Sequence, residues 1–488
     1  MEEIHFVDTT IRDGHQSLWA ERMATGMMLP IAKNLDDAGF LAIEILSGSH
    51  IKKAVRELRE DPWERISRVA KLVPKTPLRL IAGRVNTFGF DPPCMYELFI
   101  SRMAQNGVRQ ARISEPWNDL PGWKYRTEVA RRFGMDPIIN LIYSVSPVHS
   151  DEYYAERCRR AVTLSPFRIC LKDPGGLLTP ERVRTLVPVV LANAKSIPVE
   201  LHSHCTTGLG PLVALEAVRL GIRIVNTGVP PLADGPALPS IFNVAHNLRA
   251  LGYKPMINEE VLRPVAKHFD IIARREGFPI GAPAQYDYET YLHQVPGGMI
   301  SNLGHQLRQV GKEGQLQEAL EETSRVRVEF GHPIMVTPLS QFVGSQAAIN
   351  VIVGERYKEV TDQVIRYALG HFGEEAVTAM DQNVRARILD RPRANEIKAQ
   401  TRQFPTLAEM RRDLDAETVS EEELLLRWLL NKEDIAAMRV AGPAKDYVTT
   451  RHPLVKLMEG IVARSDCNLV QVSKAGFSLT LERKGATQ

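Results

Sequence analysis

What most constrains this chain is a rhythm of short β-rich runs: Ile4–Thr9, Phe40–Leu46, Leu78–Asn86, Gln110–Glu115, Pro137–Ser144, Phe167–Asp173, Pro198–His204 and Ile222–Thr227. Their starts fall about 25 to 40 residues apart, and helical patterns such as Pro180–Val187 fill the gaps, as parallel strands joined by crossover helices require. A doubly wound open sheet is the competing α/β arrangement, and eight near-even units favour closure into a (β/α)8 TIM barrel. Polar residues gather at the ends of the runs: Asp8 and Asp13, Glu44, Arg84 and Asn86, Glu115, Tyr143, Lys172, His202 and His204, and Asn226. In a barrel those ends share one rim, where active sites are assembled from several loops, so the pattern predicts an enzyme.

After about residue 255 the strand rhythm stops, and helical stretches such as Gln315–Val326 and Val360–Phe372 take over. With 488 residues, the chain exceeds the roughly 250 of one barrel, which calls for a mainly helical C-terminal domain. The expected division is a barrel over residues 1–255, a helical domain over 256–372, a charged connector over 373–412, and a tail over 413–488. In the tail, Ser420–Leu430 is a helix opened by a Ser-x-x-Glu box, Pro453–Arg464 reads as helical, and Leu469–Val472 with Phe477–Leu481 reads as a hairpin.

A formal charge of +3, with both signs interspersed, gives no electrostatic footprint for nucleic acid. Cys94, Cys158, Cys170, Cys205 and Cys467 lack close pairing, which argues against a disulfide framework or a zinc knuckle. The first strand-like run leaves no room for a signal peptide, and no stretch reaches the ~18 apolar residues of a membrane span, so a cytoplasmic location is expected.

His202-Ser203-His204 ends the seventh run, where positions i and i+2 share a face and two imidazoles can converge on one metal ion. An isolated His-x-His is more often structural, and only the rim position raises its weight. Asp13, just past the first run, supplies a carboxylate that would complete an open site for a divalent Lewis acid; as a lone residue it would more simply cap a helix or pair with Arg12. Lys172 ends the sixth run. An ammonium beside a metal would be repelled, so Lys172 at such a site must be neutral or converted to a carbamate; a solvated rim lysine paired with Asp173 is the plainer reading.

Five motifs then carry a resemblance: Asp8-Thr9-Thr10-Ile11-Arg12-Asp13-Gly14-His15-Gln16-Ser17, Glu60-Asp61-Pro62-Trp63-Glu64-Arg65, Lys172-Asp173-x-x-Gly176-Leu177, His202-Ser203-His204-Cys205-Thr206-Thr207-Gly208, and Pro296-Gly297-Gly298-Met299-Ile300-Ser301-Asn302-Leu303. Over roughly residues 4–370 the chain resembles the carboxyltransferase family of pyruvate carboxylase, the oxaloacetate decarboxylase α subunit and transcarboxylase. The resemblance implies that Asp13, His202 and His204 bind a divalent metal, Zn or Mn before Co or Mg, with carbamylated Lys172 as a further ligand. It also implies that Gln16 faces the acceptor, that the helical domain completes the active-site funnel, and that biotin carries the carboxyl group.

Departures from the family pattern fall in the acceptor pocket. Gly83 stands where an acceptor-binding arginine is usual and Arg84 follows one residue later, a slip that turns a side chain to the other face unless a bulge intervenes. Ser114-Glu115-Pro116-Trp117 replaces the usual Phe-Asp-Ala-Leu, and Asp234-Gly235-Pro236-Ala237-Leu238-Pro239-Ser240 lacks the threonine that precedes Pro-Ser in pyruvate carboxylases. Lys172, Gln16, Arg84 and Glu115 are the candidate catalytic residues, and Gln16, Arg84 and Tyr143 are the candidates for binding the acceptor. No Ala-Met-Lys-Met biotinylation motif occurs, so a separate biotin carboxyl carrier protein is expected, along with a biotin carboxylase subunit, a small-molecule acceptor and a homo-oligomer. The tail looks weakly like the segment preceding the biotinyl domain of carrier proteins and is a candidate docking element. Three other readings stand beside the leading one: an oxaloacetate decarboxylase α subunit, a lyase of the hydroxymethylglutaryl-CoA type, and a non-catalytic scaffold. Lys172 and the C-terminal domain argue against the lyase, and the intact ligand set argues against the scaffold.

Overall fold

The computed structural model describes residues 1–86, 91–295, 303, 307–308, 311–400, 404–442, 444–445, 447, 461, 469–474 and 477–482. Eight parallel strands close a barrel: β1 (Glu3–Asp8), β2 (Ile43–Ser47), β3 (Leu78–Ala82), β4 (Val108–Ile113), β5 (Asp136–Ile142), β6 (Arg168–Asp173), β7 (Val199–Ser203) and β8 (Ile224–Thr227). Asp8 of β1 pairs with Thr227 on one side and Ile43 on the other, which completes the ring. All eight expected runs are strands, and most extend past the observed strand ends. The overhanging residues, among them Arg84, Asn86, Glu115, Tyr143 and His204, lie in loops at the C-terminal rim.

Strand alternation sends Ala111, Ile113, Ile169, Leu171, Leu201 and Val225 into an apolar cluster with the surrounding helices. Many of the alternate positions are polar, and Glu44, Arg79, Gln110, Arg112, Asn140, Cys170, Glu200, His202 and Asn226 are all buried. Bulky branched residues dominate most barrel interiors; here charge pairs take their place. Arg79 donates to both carboxylate oxygens of Glu200 at 2.7 and 3.1 Å and to Gln110 Oε1 at 3.1 and 3.0 Å. Such pairs add little net stability over apolar packing, yet breaking one is costly because it strands a buried charge.

Beyond the barrel, helix Glu259–Glu276 packs on helix Thr25–Asp37, and helices Leu316–Glu329 and Leu339–Val353 pack on each other. A second apolar cluster forms around Phe330, Phe342 and Tyr367, and Trp117 from the β4 loop joins it. The stretch expected to be a connector carries four short helices, Glu374–Ala379, Gln382–Leu389, Pro392–Ala399 and Leu407–Asp413, and Ala376, Ile388 and Ile397 enter the same cluster. Dense charge on the outer faces of these helices hides a sparse apolar face from the sequence. Helix Glu421–Leu429 starts at Ser420, whose Oγ accepts from Glu423 N at 3.1 Å, and Leu424, Leu425, Leu426 and Leu429 return to the barrel cluster. Leu469–Lys474 and Phe477–Glu482 form the expected antiparallel hairpin. The helix expected over residues 453–464 lies outside the described residues except Ile461, as does the Pro296–Leu303 motif except Leu303. Among the described residues, no helix is long and apolar enough to cross a membrane.

We predict that Arg79→Met, which leaves Glu200 buried with Arg168 at 3.8 Å as its one cation among the described residues, destabilises the protein by on the order of 3–5 kcal/mol. Arg79→Met combined with Glu200→Leu should recover most of that loss in denaturant melts; a double variant as unstable as the single one would contradict this account.

Candidate active site

β1 ends at Asp8, and the next residues, Thr10–Gly14, form one wide helical turn. Gly14 lets this turn approach the β8 loop, since a Cβ there would stand 2.5 Å from the Leu232 carbonyl oxygen. The turn carries Asp13 to the imidazoles at the end of β7: Asp13 Oδ2 lies 3.6 Å from His202 Nε2, and Oδ1 lies 3.5 Å from His204 Nε2. All three residues are buried, and their ligand-type atoms lie within 4.8 Å of one another.

Each ring is held from behind. His204 Nδ1 lies 2.7 Å from the Pro236 carbonyl oxygen, which can only accept, so Nδ1 carries the proton and Nε2 presents its lone pair. His202 Nδ1 meets Asn226 Oδ1 at 3.0 Å and Arg112 Nη1 at 2.8 Å, and its buried Nε2 has no hydrogen-bond partner among the described residues. A buried ring nitrogen with no partner, aimed at a carboxylate, suits a metal ligand, and a carboxylate with two imidazoles can hold a divalent cation.

The charges fit that use. Burial would raise the Asp13 carboxyl, but Arg12 and then His204 hold it well below the usual range. Burial, then Arg112, keeps His202 neutral, whereas for His204 the attraction of Asp13 outweighs burial and raises the pKa. Lys172 is brought down to about 8 by burial, then by Arg112 and Arg12. It is the β6 residue paired in register with His202. The rim pair Lys172–Asp173 does not form: the Asp173 carboxylate accepts from Leu177 N, Leu178 N and Ser203 Oγ at 2.8, 2.8 and 2.9 Å. Gly176, with φ +64°, allows the β6 loop to pass the β7 loop, since a Cβ there would stand 2.8 Å from the His204 carbonyl oxygen.

Gln16 adjoins this cluster, its Oε1 accepting from Arg12 Nη1 at 3.1 Å. Tyr143 donates its backbone N–H to the Lys172 carbonyl at 2.7 Å, and burial, then Asp173, raises its hydroxyl pKa. The other two candidates are engaged elsewhere. The Arg84 guanidinium stacks on the Phe372 ring at 4.7 Å. Glu115 caps its own loop, its Oε2 accepting from Trp117 N at 2.8 Å and Asp119 N at 2.6 Å, and burial pushes its carboxyl up to about 7.

Sequence reasoning placed Glu44 among the polar strand ends and Arg12 as a partner for Asp13 without giving either a role at the site, and it passed over Arg112. Arg12 Nη2 lies 2.7 Å from Asp13 Oδ2 and 2.6 Å from Glu44 Oε2, and Arg112 Nε lies 3.1 Å from Glu44 Oε1. The available signal was charge at alternate positions inside apolar runs, as in Gln110 and Arg112 or Glu200 and His202.

The fold and donor set thus describe a barrel enzyme with a buried carboxylate–imidazole centre, and comparison with known proteins gives its class. A family model described as a conserved carboxylase domain matches residues 290–458. A pyruvate carboxylase subunit of Methanocaldococcus jannaschii is 34% identical over 390 residues, covering 79% of this chain and 68% of that one. The methylmalonyl-CoA carboxyltransferase 5S subunit of Propionibacterium freudenreichii is 30% identical over 374 residues, covering 76% and 74%. The carboxyl transferase domain of Rhizobium etli pyruvate carboxylase, solved with pyruvate, shares the fold with a TM-score of 0.80 at 22% identity over 90% of this chain and 77% of that one. The chain belongs to the family of carboxyltransferase subunits of biotin-dependent carboxylases.

The Glu115 carboxyl gives a test of this rim. Its folded pKa of about 7 lies above the unfolded value near 4.5, so the protonated group contributes stability below pH 4.5, and that contribution fades as pH rises through 7. The expected loss is on the order of 2–3 kcal/mol. Chemical denaturation between pH 5 and 8 should show the decline in the wild type and a flatter profile in Glu115→Gln; parallel profiles would refute the cause assigned.

Proposed function

We propose that this chain moves a carboxyl group between carboxybiotin, presented by a separate carrier protein, and a small enolisable acceptor at a divalent-metal centre formed by Asp13, His202, His204 and Lys172. The observation that carries the reading is the buried Nε2 of His202, which faces Asp13 and has no hydrogen-bond partner among the described residues. Asp13, His202, His204 and Lys172 would hold a divalent ion, Zn or Mn before Co or Mg, which would supply Lewis-acid stabilisation of the negative charge that develops on the acceptor. Arg12 keeps Asp13 ionised, Arg112 Nη1 and Asn226 Oδ1 hold the His202 ring at Nδ1, and the Pro236 carbonyl fixes the tautomer of His204. With its pKa near 8, Lys172 is readily deprotonated; attack of its free amine on CO2 forms an N–C bond, releases one proton and converts a repelled cation into an anionic carbamate. The Gln16 carbonyl is engaged by Arg12, which leaves its amide N–H groups to donate to the acceptor.

The reading includes a biotin carboxylase subunit and self-association of this chain. Stoichiometric metal is the expected result of elemental analysis on protein purified without a metal-affinity tag, and His202→Ala with His204→Ala should abolish it. With labelled bicarbonate, a carbamate carbon signal should appear in the wild type and be absent from Lys172→Ala. Undiminished metal in the double histidine variant would remove the site assignment.

Acceptor choice is the part most changed from the family pattern. Gly83 presents no side chain, and Arg84 lies against Phe372. The Asp234–Ser240 loop is committed to holding the residues that follow β7, Pro236 taking His204 and the Ala237 carbonyl accepting from Cys205 N at 2.8 Å. We therefore propose an acceptor other than pyruvate. Losing one charge-assisted contact to a carboxylate costs on the order of 2–3 kcal/mol, or ~30- to 150-fold in rate. Oxaloacetate decarboxylation with free biotin should be slower by about that factor than carboxyl transfer to the best substrate in a panel of 2-oxo acids, acyl thioesters and amides. Oxaloacetate turnover equal to that best substrate would return the chain to a pyruvate and oxaloacetate role.

A further inference from the structure

Arg327 is buried in a way that no other arginine of the described residues is. Arg12, Arg65, Arg79, Arg112, Arg157 and Arg168 are also buried, and each faces a carboxylate. Arg327, 5% exposed on helix Leu316–Glu329, has no carboxylate partner among the described residues. Its Nε donates to the Pro333 carbonyl at 3.2 Å, and its Nη2 donates to Ser144 Oγ and the Val145 carbonyl, both at 3.0 Å. Nη1 has no partner among these residues and is not sealed from solvent. An isolated buried charge is expensive, and neutral carbonyls and a hydroxyl offset it only in part. Among the described residues, no carboxylate neutralises Arg327.

The surroundings define which anion fits. Ser144 and Val145 lie on the C-terminal rim just past β5, beside Tyr143, whose backbone N–H bonds to the carbonyl of Lys172. Gln294 buttresses the rim, accepting from Ser144 Oγ at 3.1 Å and donating to the Val145 carbonyl at 2.6 Å. His149 lies in the same field, its Nδ1 2.6 Å from Ser146 Oγ, and burial and then Arg327 hold its pKa down to about 3. His332, whose buried Nδ1 has no partner among the described residues, is depressed by the same two causes. The site therefore offers one fixed positive charge with Nη1 left to donate, positioned by the Ser144 oxygen and set beside two neutral imidazoles. That matches a singly charged carboxylate and leaves a phosphate dianion half-neutralised.

We propose that Arg327 and Ser144, flanked by His149 and His332, form a carboxylate-binding subsite at the seam between barrel and helical domain, filled by a carboxylate of the acceptor or by a free small organic acid. The acceptor source rests on the function proposed above; the subsite itself does not.

The test titrates the full-length protein, stripped of metal by chelation, with succinate, acetate and inorganic phosphate in a calorimeter. Metal and carrier are both absent, so a failure of the carboxyltransferase reading leaves this measurement intact. Acetate and succinate should both bind the wild type through one carboxylate, Arg327→Gln should weaken both by about tenfold to a hundredfold, and Arg327→Lys should restore part of the loss. If Arg327→Gln melts early, Ser144→Ala and Arg327→Lys decide, both expected to bind more weakly than the wild type with little change in melting temperature. In transfer assays with a dicarboxylic acceptor, an acceptor source makes Arg327→Gln raise KM with succinate competitive; a free-acid source leaves KM unchanged with succinate non-competitive. Absence of succinate binding by the wild type, binding equal in all variants, or phosphate binding tighter than succinate would overturn the proposal.

Discussion

The carboxylate of Glu44 is the contact on which the proposed centre depends. It is fully buried, takes Arg12 on one edge and Arg112 on the other, and is held at a pKa of about 2 because Arg112 and Arg12 more than reverse the effect of burial. Two guanidinium groups this close in a low-dielectric interior repel each other strongly, and only the shared anion makes their proximity tolerable. Arg12 then reaches Asp13 with the same Nη2 that meets Glu44, and Arg112 turns its other edge, Nη1, to His202. The geometry of the two sides is thus inherited from one residue that touches neither imidazole.

This explains why the barrel interior is charged where aliphatic side chains would pack as well. Below Glu44, the Arg79–Glu200 pair repeats the same arrangement, with Arg79 reaching back to Glu44 at 3.8 Å. A layer of this kind is stable only when complete, since each charge is desolvated against the others. Such a layer fixes side-chain positions more tightly than aliphatic packing, which suits a centre whose donors must converge within a few ångströms.

The strands were legible because parallel strands buried on both faces read as apolar runs bounded by turn formers. Their C-terminal limits were not, because the loops continue the strand-like composition through Asn86, Glu115 and Ser144. Asp13, His202 and His204 were legible as a set through their motifs, whereas Arg12, Glu44 and Arg112 read as ordinary polar positions, since periodicity tells that two residues share a face without telling which face is inside. Arg84 and Glu115 show the limit of rim position as a signal. Both sit at strand ends, but the free N–H groups of Trp117 and Asp119 capture the Glu115 carboxylate, and the Phe372 ring captures the Arg84 guanidinium.

Those two residues also reveal how the rim is divided. The ends of β1, β6, β7 and β8 supply Asp13, Lys172, His202, His204 and the Pro236 carbonyl to the proposed centre. The ends of β3, β4 and β5 face the helical domain instead: Arg84 on Phe372, Trp117 in the apolar cluster of Phe330 and Tyr367, and Ser144 bonded to Gln294 and Arg327. One half of the rim is fixed by charge inside the barrel, the other by packing against a second domain. Substitutions in the helical domain can therefore reshape the second half without disturbing the metal-type donors. A family whose members act on different acceptors needs just such a division, because the chemistry must stay constant on one side while recognition varies on the other.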